Sequence, residues 1–543
     1  MKRYLGLTIG PIIETMSYTS TPAGLWAASF FFSSITRDLY EELIKKEYQI
    51  LTVPEQVLCE VKGIGQYHDR IYGVTPENKS DSEIINEVKS VIDNVIEKRA
   101  KEIYVALSEE KQINPEDVKE CLQEYLQIHY VLLNVEDTQI LAKTLAGALD
   151  SLENCQSTVG NVSQNYLVRM LTGKKDNANC YLKEYEPFQD AEMLHEKRDA
   201  EQNIKIKDLH YIASNGNASQ TYGTHVSKKL NNYFAIIQAD GDGMGKIINA
   251  DLSGQKNRQI TLEDQENRIQ LFSKLCMQYT AEASKLIRDY HGVVIYAGGD
   301  DLLFLAPIIS ENGNIWTLCQ EIGRQFNNIF HPACNKEAGT IVEENHVPSV
   351  SFGVSVNYYK FPLYEAFEDA RSLLFGTAKN FGKKNNFAIS VHKASGQTSG
   401  YVCRMETKGT SKDTLFEELI AYINLLIQGE AGDSLENNKM LHSLLYHIEN
   451  NKELCKLALH NKEKRDKFYE NVFDSMMQKN YRSYIDVVNA LTEKITSVIT
   501  ENTAAKDEII AALAGDNSCT RERAVNVLVN ILRTSKFLVE EGE

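Results

Sequence analysis

The chain has 543 residues, with 58 basic against 75 acidic side chains and a formal net charge of −17. At roughly 100–200 residues per domain, that length implies about three to five units with sizeable cores, and 43% hydrophobic with 24% charged residues is the composition of a folded chain rather than a disordered one. The acidic balance argues against a non-specific nucleic-acid binder, which gains affinity by neutralising phosphates, but leaves room for a local basic groove. The most apolar stretch, Leu25 to Ile35, falls far short of the ~20 residues a membrane span requires. Met1-Lys2-Arg3-Tyr4 leads straight into a strand-like segment with no signal peptide. The ten cysteines are dispersed without a CxxC pair, so they read as reduced thiols of a cytoplasmic protein rather than a compact zinc module; Cys155, Cys180 and His195 are the one set left that folding can bring together on a metal.

In chain order, Tyr4 to Ile9 is an apolar run closed by Gly10-Pro11, which reads as a buried strand. A helix is expected from about Leu25 to Lys46, an extended segment at Ile50 to Pro54, and a glycine-containing turn over Gly63-Ile64-Gly65-Gln66-Tyr67-His68-Asp69. A long polar helix from Asp81 to Leu107, a strand from His129 to Val135 and a helix from Thr138 to Leu152 complete a first α+β region, 1–152. Residues 153–230 are polar and without clear period, and read as a connector. In 231–405, the apolar strand Tyr233 to Ala239 ends in Asp240. A helix from Leu271 to Tyr290 follows, then the strands Val293–Ala297 and Leu302–Ala306 joined through Gly298-Gly299-Asp300-Asp301. Beyond a further helix come the strand Val350–Val356, a helix from Tyr364 to Phe381 and a short strand Phe387–Val391, a β-α-β-β-α-β plan of ferredoxin type. The remainder, 406–543, reads as amphipathic helices in a small bundle.

Three carboxylates carry the chemistry. Asp240 ends one buried strand, and Asp300 and Asp301 tip a hairpin expected in the same sheet; with adjacent strands ~4.8 Å apart they can converge at its edge. Crowded carboxylates repel one another unless a cation sits between them, and oxygen donors favour a hard ion such as Mg²⁺ or Mn²⁺ that also binds substrate phosphates. Gly298 and Gly299 would let a nucleotide lie against the hairpin backbone, and Gly241 opens a Gly241-Asp242-Gly243-Met244-Gly245 loop suited to phosphate at a helix start. Asp240, Asp242, Gly245 and Asp251 also fall on a calcium-loop pattern, but Met244 and the preceding strand spoil it; Ile247 likewise breaks a Walker A reading. Lys379 and Lys383, in Ala378-Lys379-Asn380-Phe381-Gly382-Lys383-Lys384-Asn385, are placed to meet a triphosphate beside the sheet edge.

These motifs, with Ser351-Phe352-Gly353-Val354-Ser355, resemble the palm domain of nucleotide polymerases and GGDEF-type cyclases. Tyr4 to Ile12, Leu25-Trp26-Ala27-Ala28-Ser29 and Gly63 to Ile71 narrow the resemblance to the large polymerase/cyclase subunit of type III CRISPR effector complexes, Cmr type. That resemblance implies two ferredoxin-like palms, 1–152 (with a helical insertion) and 231–405, a connector between them and a C-terminal helical domain. It implies ATP held between the palms, metal on Asp240, Asp300 and Asp301, the three catalytic carboxylates, and phosphates met by Lys379 and Lys383. Asp69 would lie on the acceptor side. The reaction would attack the ATP α-phosphate and release pyrophosphate, switched on when the guide-RNA complex and its other subunits capture target RNA. The product would be a cyclic oligoadenylate, or AMP joined to S-adenosylmethionine. Many relatives begin with an HD nuclease domain and carry CxxC pairs between the palms; His68-Asp69 lacks the histidines of such a nuclease, so no DNase activity is expected. Two other readings remain, a free-standing cyclic-dinucleotide synthase and a non-catalytic scaffold subunit.

Overall fold

A computed structural model describes residues 2–52, 64, 67–107, 113–136, 139–154, 165–172, 208–214, 228–249, 261–405, 414–428, 434–474, 482–501, 509–514 and 520–539. Gly63, Gly65, Cys155, Cys180, His195 and Asp251 lie outside them. Strands β1 (Lys2–Gly10), β2 (Gln49–Ile50), β3 (Arg70–Val74) and β4 (Gln127–Val135) form an antiparallel sheet in the order β2-β3-β1-β4. Alternation along β1 assigns its two faces. Leu5, Leu7 and Ile9 pack on the helices Pro22–Lys45 and Asp81–Ala106, and Tyr4 on the helix Leu141–Glu153. The Pro22–Lys45 helix starts three residues before the expected Leu25, because Thr21 caps it by accepting from the Gly24 amide and Pro22 suits the first turn.

The second sheet has seven strands. β5 (Tyr233–Asp242), β6 (Val293–Gly298), β7 (Asp301–Pro307) and β8 (Ser349–Tyr358) stand in the order β8-β5-β7-β6, all antiparallel. In both sheets the fourth strand lies beside the first and the third beside the second, so both carry the ferredoxin-like order and the fold is α+β with two palms and a helical region. β9 (Asn386–His392) adds parallel to β8, and β10 (Thr398–Arg404) antiparallel to β9. The palms share a core: Phe234, Ile236, Ile295 and Leu303 on one face of the second sheet join the cluster containing Trp26 and Phe31 of the Pro22–Lys45 helix. That helix is buried from both sides, which accounts for the apolar run at Leu25 to Ile35 without any bilayer. Among the described residues, no helix is long and apolar enough to cross a membrane.

Further elements depart from expectation. The helix read as Leu271–Tyr290 begins at Leu262, where Thr261 and Asp264 form a reciprocal capping box. The C-terminal region, read as helix alone, contributes β11 (Ile510–Ala512), which pairs with β10 and closes the sheet edge. The helix read as Tyr364–Phe381 is α-helical over Leu363–Arg371 and π-helical over Ser372–Ala378. Gly353 of β8 lies under that junction: a Cβ there would collide with the Ala370 carbonyl oxygen and the Leu374 amide nitrogen. Those are backbone atoms with no rotamer to yield, so Gly353→Ala is expected to cost about 1–3 kcal/mol, at the upper end of the overpacking range. Urea unfolding checks this, and an unchanged midpoint would refute the contact.

Candidate active site

β5 is buried on both faces until it reaches Asp240, which sits opposite Ser351 of β8 and one residue beyond the last β7 partner, Ala239 opposite Leu302. The β6–β7 hairpin closes with Gly298 opposite Asp301, and Gly299 turns the chain at φ 67°, a conformation glycine adopts without strain. Asp240, Asp300 and Asp301 each bring a carboxylate oxygen to within 4.8 Å of the others. The structure therefore brings together the three acids singled out in the sequence.

The glycines divide in role. A Cβ on Gly241 would lie 2.5 Å from Asp300 Oδ2, and one on Gly298 would enter the Tyr296 ring, so both absences of side chain serve packing within the protein. Gly299 has nothing within 4 Å of that position and is the open one. The helix after the Gly241 loop is a single short turn, Met244–Ile248. Lys379 is the most engaged of the expected phosphate ligands. Its ammonium pairs with Asp240, lies 2.9 Å from Asp242 Oδ1, and donates to the carbonyl oxygens of Asp240 (2.8 Å) and Gly241 (2.7 Å). Lys383 stands exposed on the following turn.

Asp242 is the residue sequence reasoning missed as part of this site. It is buried, and its Oδ2 accepts from Ser349 Oγ (2.9 Å), Ser351 Oγ (2.7 Å) and the Asn385 amide (3.0 Å). The available signal was its position two residues after Asp240, on the same face of the strand. Asp242 thus ties the Lys379–Asn385 segment to the sheet edge. Tyr279, fully buried on the Leu262–Asp289 helix, carries a hydroxyl without a partner among the described residues, and its proton is held by burial first and then by Asp300 and Asp301.

Burial and then the neighbouring Asp240 push the Asp300 carboxyl up to about 7. Asp301 is driven well above the usual carboxylate range by burial, then Asp300 and Asp240, with a contribution from Asp69. Asp69 is itself raised by burial at the start of β3, where its carbonyl oxygen accepts from the Ile9 amide at 3.0 Å. Asp69 of the first palm thus adds to the charge felt by Asp301 of the second. Burial would lower Lys379, but Asp242 and Asp240 outweigh it and raise its affinity for its proton. Asp301 Oδ1 is buried without a hydrogen-bond donor among the described residues. An orphan acceptor among three mutually repelling carboxylates fits a hard divalent cation, and the all-oxygen donor set fits Mg²⁺ or Mn²⁺.

The raised carboxyls have a pH consequence. Without a cation, Asp300 keeps its proton where the unfolded chain has lost it, so its contribution to stability is greatest below about pH 4 and falls as pH rises toward about 7. A divalent ion needs the ionised form, so Mg²⁺ affinity should strengthen as pH rises across the same window. Melting temperatures measured against Mg²⁺ concentration at about pH 5.5, 6.5 and 7.5 test this; a response independent of pH would contradict it.

The profile described as "Cas10/Cmr2, second palm domain" matches residues 233–388. The CRISPR system Cmr subunit Cmr2 of Pyrococcus furiosus is 30% identical over 178 residues, 30% of this chain and 19% of that protein, so the match spans about a fifth of the relative's length. Over nearly the whole chain the fold is similar to that in the type III-B Cmr-beta complex in its apo state (TM-score 0.56, 11% identity, 98% of this chain and 82% of the other). It is also similar to the fold in Cmr-beta bound to cognate target RNA (0.50, 11%, 98% and 83%) and in the apo Csm1–Csm4 cassette (0.50, 13%, 99% and 70%). The resemblance to type III large subunits carried by the motifs holds, and the stretch similar to the Cas10/Cmr2 second palm contains Asp240, Asp300, Asp301 and Lys379.

Proposed function

We propose that the protein is a metal-dependent nucleotidyltransferase of an RNA-guided type III effector complex, using ATP to make an adenylate second messenger when target RNA is captured. The observation that carries this reading is the convergence of Asp240, Asp300 and Asp301 within 4.8 Å on a Cas10/Cmr2 palm. These three would hold Mg²⁺ or Mn²⁺, which when bound supplies charge neutralisation at the phosphates and activation of the attacking oxygen. Gly299 leaves the hairpin tip open to the nucleotide, and Asp69 of the first palm, whose charge Asp301 feels, would lie on the acceptor side. Lys379 neutralises the strand end on which Asp240 is borne and keeps that carboxylate oriented. The acceptor oxygen would bond to the α-phosphorus as the bond to pyrophosphate breaks, so each turnover releases one pyrophosphate.

The partners would be the other subunits of the complex together with guide and target RNA, a role that sits well with an acidic chain whose placed lysines lie at the palm. Incubating the assembled complex, guide RNA and target RNA with labelled ATP, with and without S-adenosylmethionine, tests the reading. Product dependent on target RNA is the expected result. Product that forms only with S-adenosylmethionine would identify it as the acceptor in place of a second ATP. Activity of the isolated chain without RNA would support a free-standing cyclic-dinucleotide synthase, and the absence of any product would leave a scaffold.

A further inference from the structure

One polar side chain beside the carboxylates is uncommitted. Gln238 stands on β5 two residues before Asp240, and alternation gives that strand two distinct faces. Tyr233, Ala235, Ile237 and Ala239 pack in one core cluster. Phe234 and Ile236 pack in the other, with Trp26 and Phe31 of the first palm. Gln238 and Asp240 continue the second set, so they lie on the face turned to the first palm. Across the sheet, Gln238 is opposite Leu303 of β7 and Gly353 of β8. Asp301 precedes Leu303 by two residues and shares its face. Gln238 is therefore roughly 7 Å along the strand from Asp240 and about 7–8 Å on the diagonal from Asp301.

Gln238 is only 9% exposed, and its Oε1 is buried without a hydrogen-bond partner among the described residues. Neither cross-strand neighbour can supply one, since Leu303 is apolar and Gly353 has no side chain. Asn357 and Asn386 also have a buried, unpaired amide oxygen, but each donates through its amide nitrogen within the protein. Gln238 has no such anchor among the described residues. Buried amides are nearly always paired, and an unpaired one costs stability, so this one is placed for a partner that arrives from outside the chain. Triphosphate oxygens are chiefly acceptors, whereas a ribose hydroxyl both donates and accepts and so satisfies either orientation of the amide. In ATP the ribose is joined directly to the α-phosphate, the group that a cation on the carboxylates would meet. The sugar is thus the part of the nucleotide that comes to lie beside Asp240 and within reach of Gln238.

We propose that Gln238 is the specificity-determining residue for the sugar: with a nucleotide held at Asp240, Asp300 and Asp301, as in the nucleotidyltransferase reading on which this rests, its amide hydrogen-bonds a ribose hydroxyl and distinguishes ATP from deoxyribonucleotides. A site whose buried polar group bonds a substrate hydroxyl rejects the analogue lacking it, because the protein group is then left unpaired. Binding of ATP, 2′-deoxy-ATP and 3′-deoxy-ATP in Mg²⁺ would be measured by calorimetry on the full chain, as wild type and as Gln238→Met. Methionine keeps the length of the side chain and removes both of its hydrogen-bonding groups. Wild type should bind ATP about tenfold tighter than at least one deoxy analogue, and Gln238→Met should bind all three within about twofold of one another. Without nucleotide, Gln238→Met should melt no lower than wild type, because an unpaired buried amide gives way to an apolar group of similar size. Equal affinity of wild type for the three nucleotides, or the same preference in Gln238→Met, overturns the sugar assignment and leaves the nucleotidyltransferase reading standing. A variant that melts far lower, or fails to fold, would place the amide's partner inside the protein and overturns the assignment as well. Wild type that binds no ATP refutes both the assignment and that reading.

Discussion

Replacing Asp300 and Asp301 together by Asn is expected to lower nucleotide product by about three orders of magnitude or more, while the protein folds and assembles as before. Several kcal/mol of charge stabilisation would rest on the cation these groups are proposed to hold, and each 1.4 kcal/mol is a factor of ten in rate. The same change removes two carboxylates that repel each other and Asp240 in a buried setting. The cation-free variant should therefore melt a few degrees higher than wild type, and Mg²⁺ should no longer raise its melting temperature. Pyrophosphate release and thermal unfolding with and without Mg²⁺ read both effects. Undiminished product in the double variant would rule the cluster out as the reacting centre, and a scaffold would give no product in either protein.

Lys379→Met acts in the opposite direction on stability. Lys379 and Asp242 are both nearly buried, and the ammonium also neutralises Asp240 and satisfies two backbone carbonyls at the end of β5. Removing one partner of a buried ion pair leaves a charge without compensation and costs about 3–5 kcal/mol. The serine and amide donors to Asp242 remain, so the variant should fold, with its denaturation midpoint lowered and product formation reduced as the Asp240 carboxylate loses its orientation. Because protonating the stranded carboxylates relieves the penalty, the deficit should shrink as pH falls toward about 4. A deficit constant from pH 4 to pH 8 would show that the loss is one of packing, not of charge.

The elements of the candidate site were legible because their signals are local. A two-sided buried strand reads as a continuous apolar run, so Tyr233 to Ala239 pointed to Asp240, and two apolar runs around Gly298-Gly299-Asp300-Asp301 pointed to a hairpin. Asp242 was less legible because its partners are remote: Ser349, Ser351 and Asn385 are more than a hundred residues away. The π-helical turn after Arg371 owes its place to Gly353 on another element, and β11 is strand only because β10 offers an unpaired edge. Gly298, expected to line a nucleotide, also leaves room for Tyr296, a feature visible only once the neighbouring side chain is placed.

By itself, the sequence determined the α+β class, the identity of the three carboxylates and the absence of a long apolar span, because strand periodicity, turn chemistry and residue type are properties of short segments. Tertiary structure alone decided that Lys379 is paired with Asp240 and Asp242, that the charge of Asp69 in the first palm is felt by Asp301 in the second, and that the Pro22–Lys45 helix is shared by both cores. Those facts depend on which distant groups meet across burial, where a charge is felt strongly only by the neighbours that the fold places beside it.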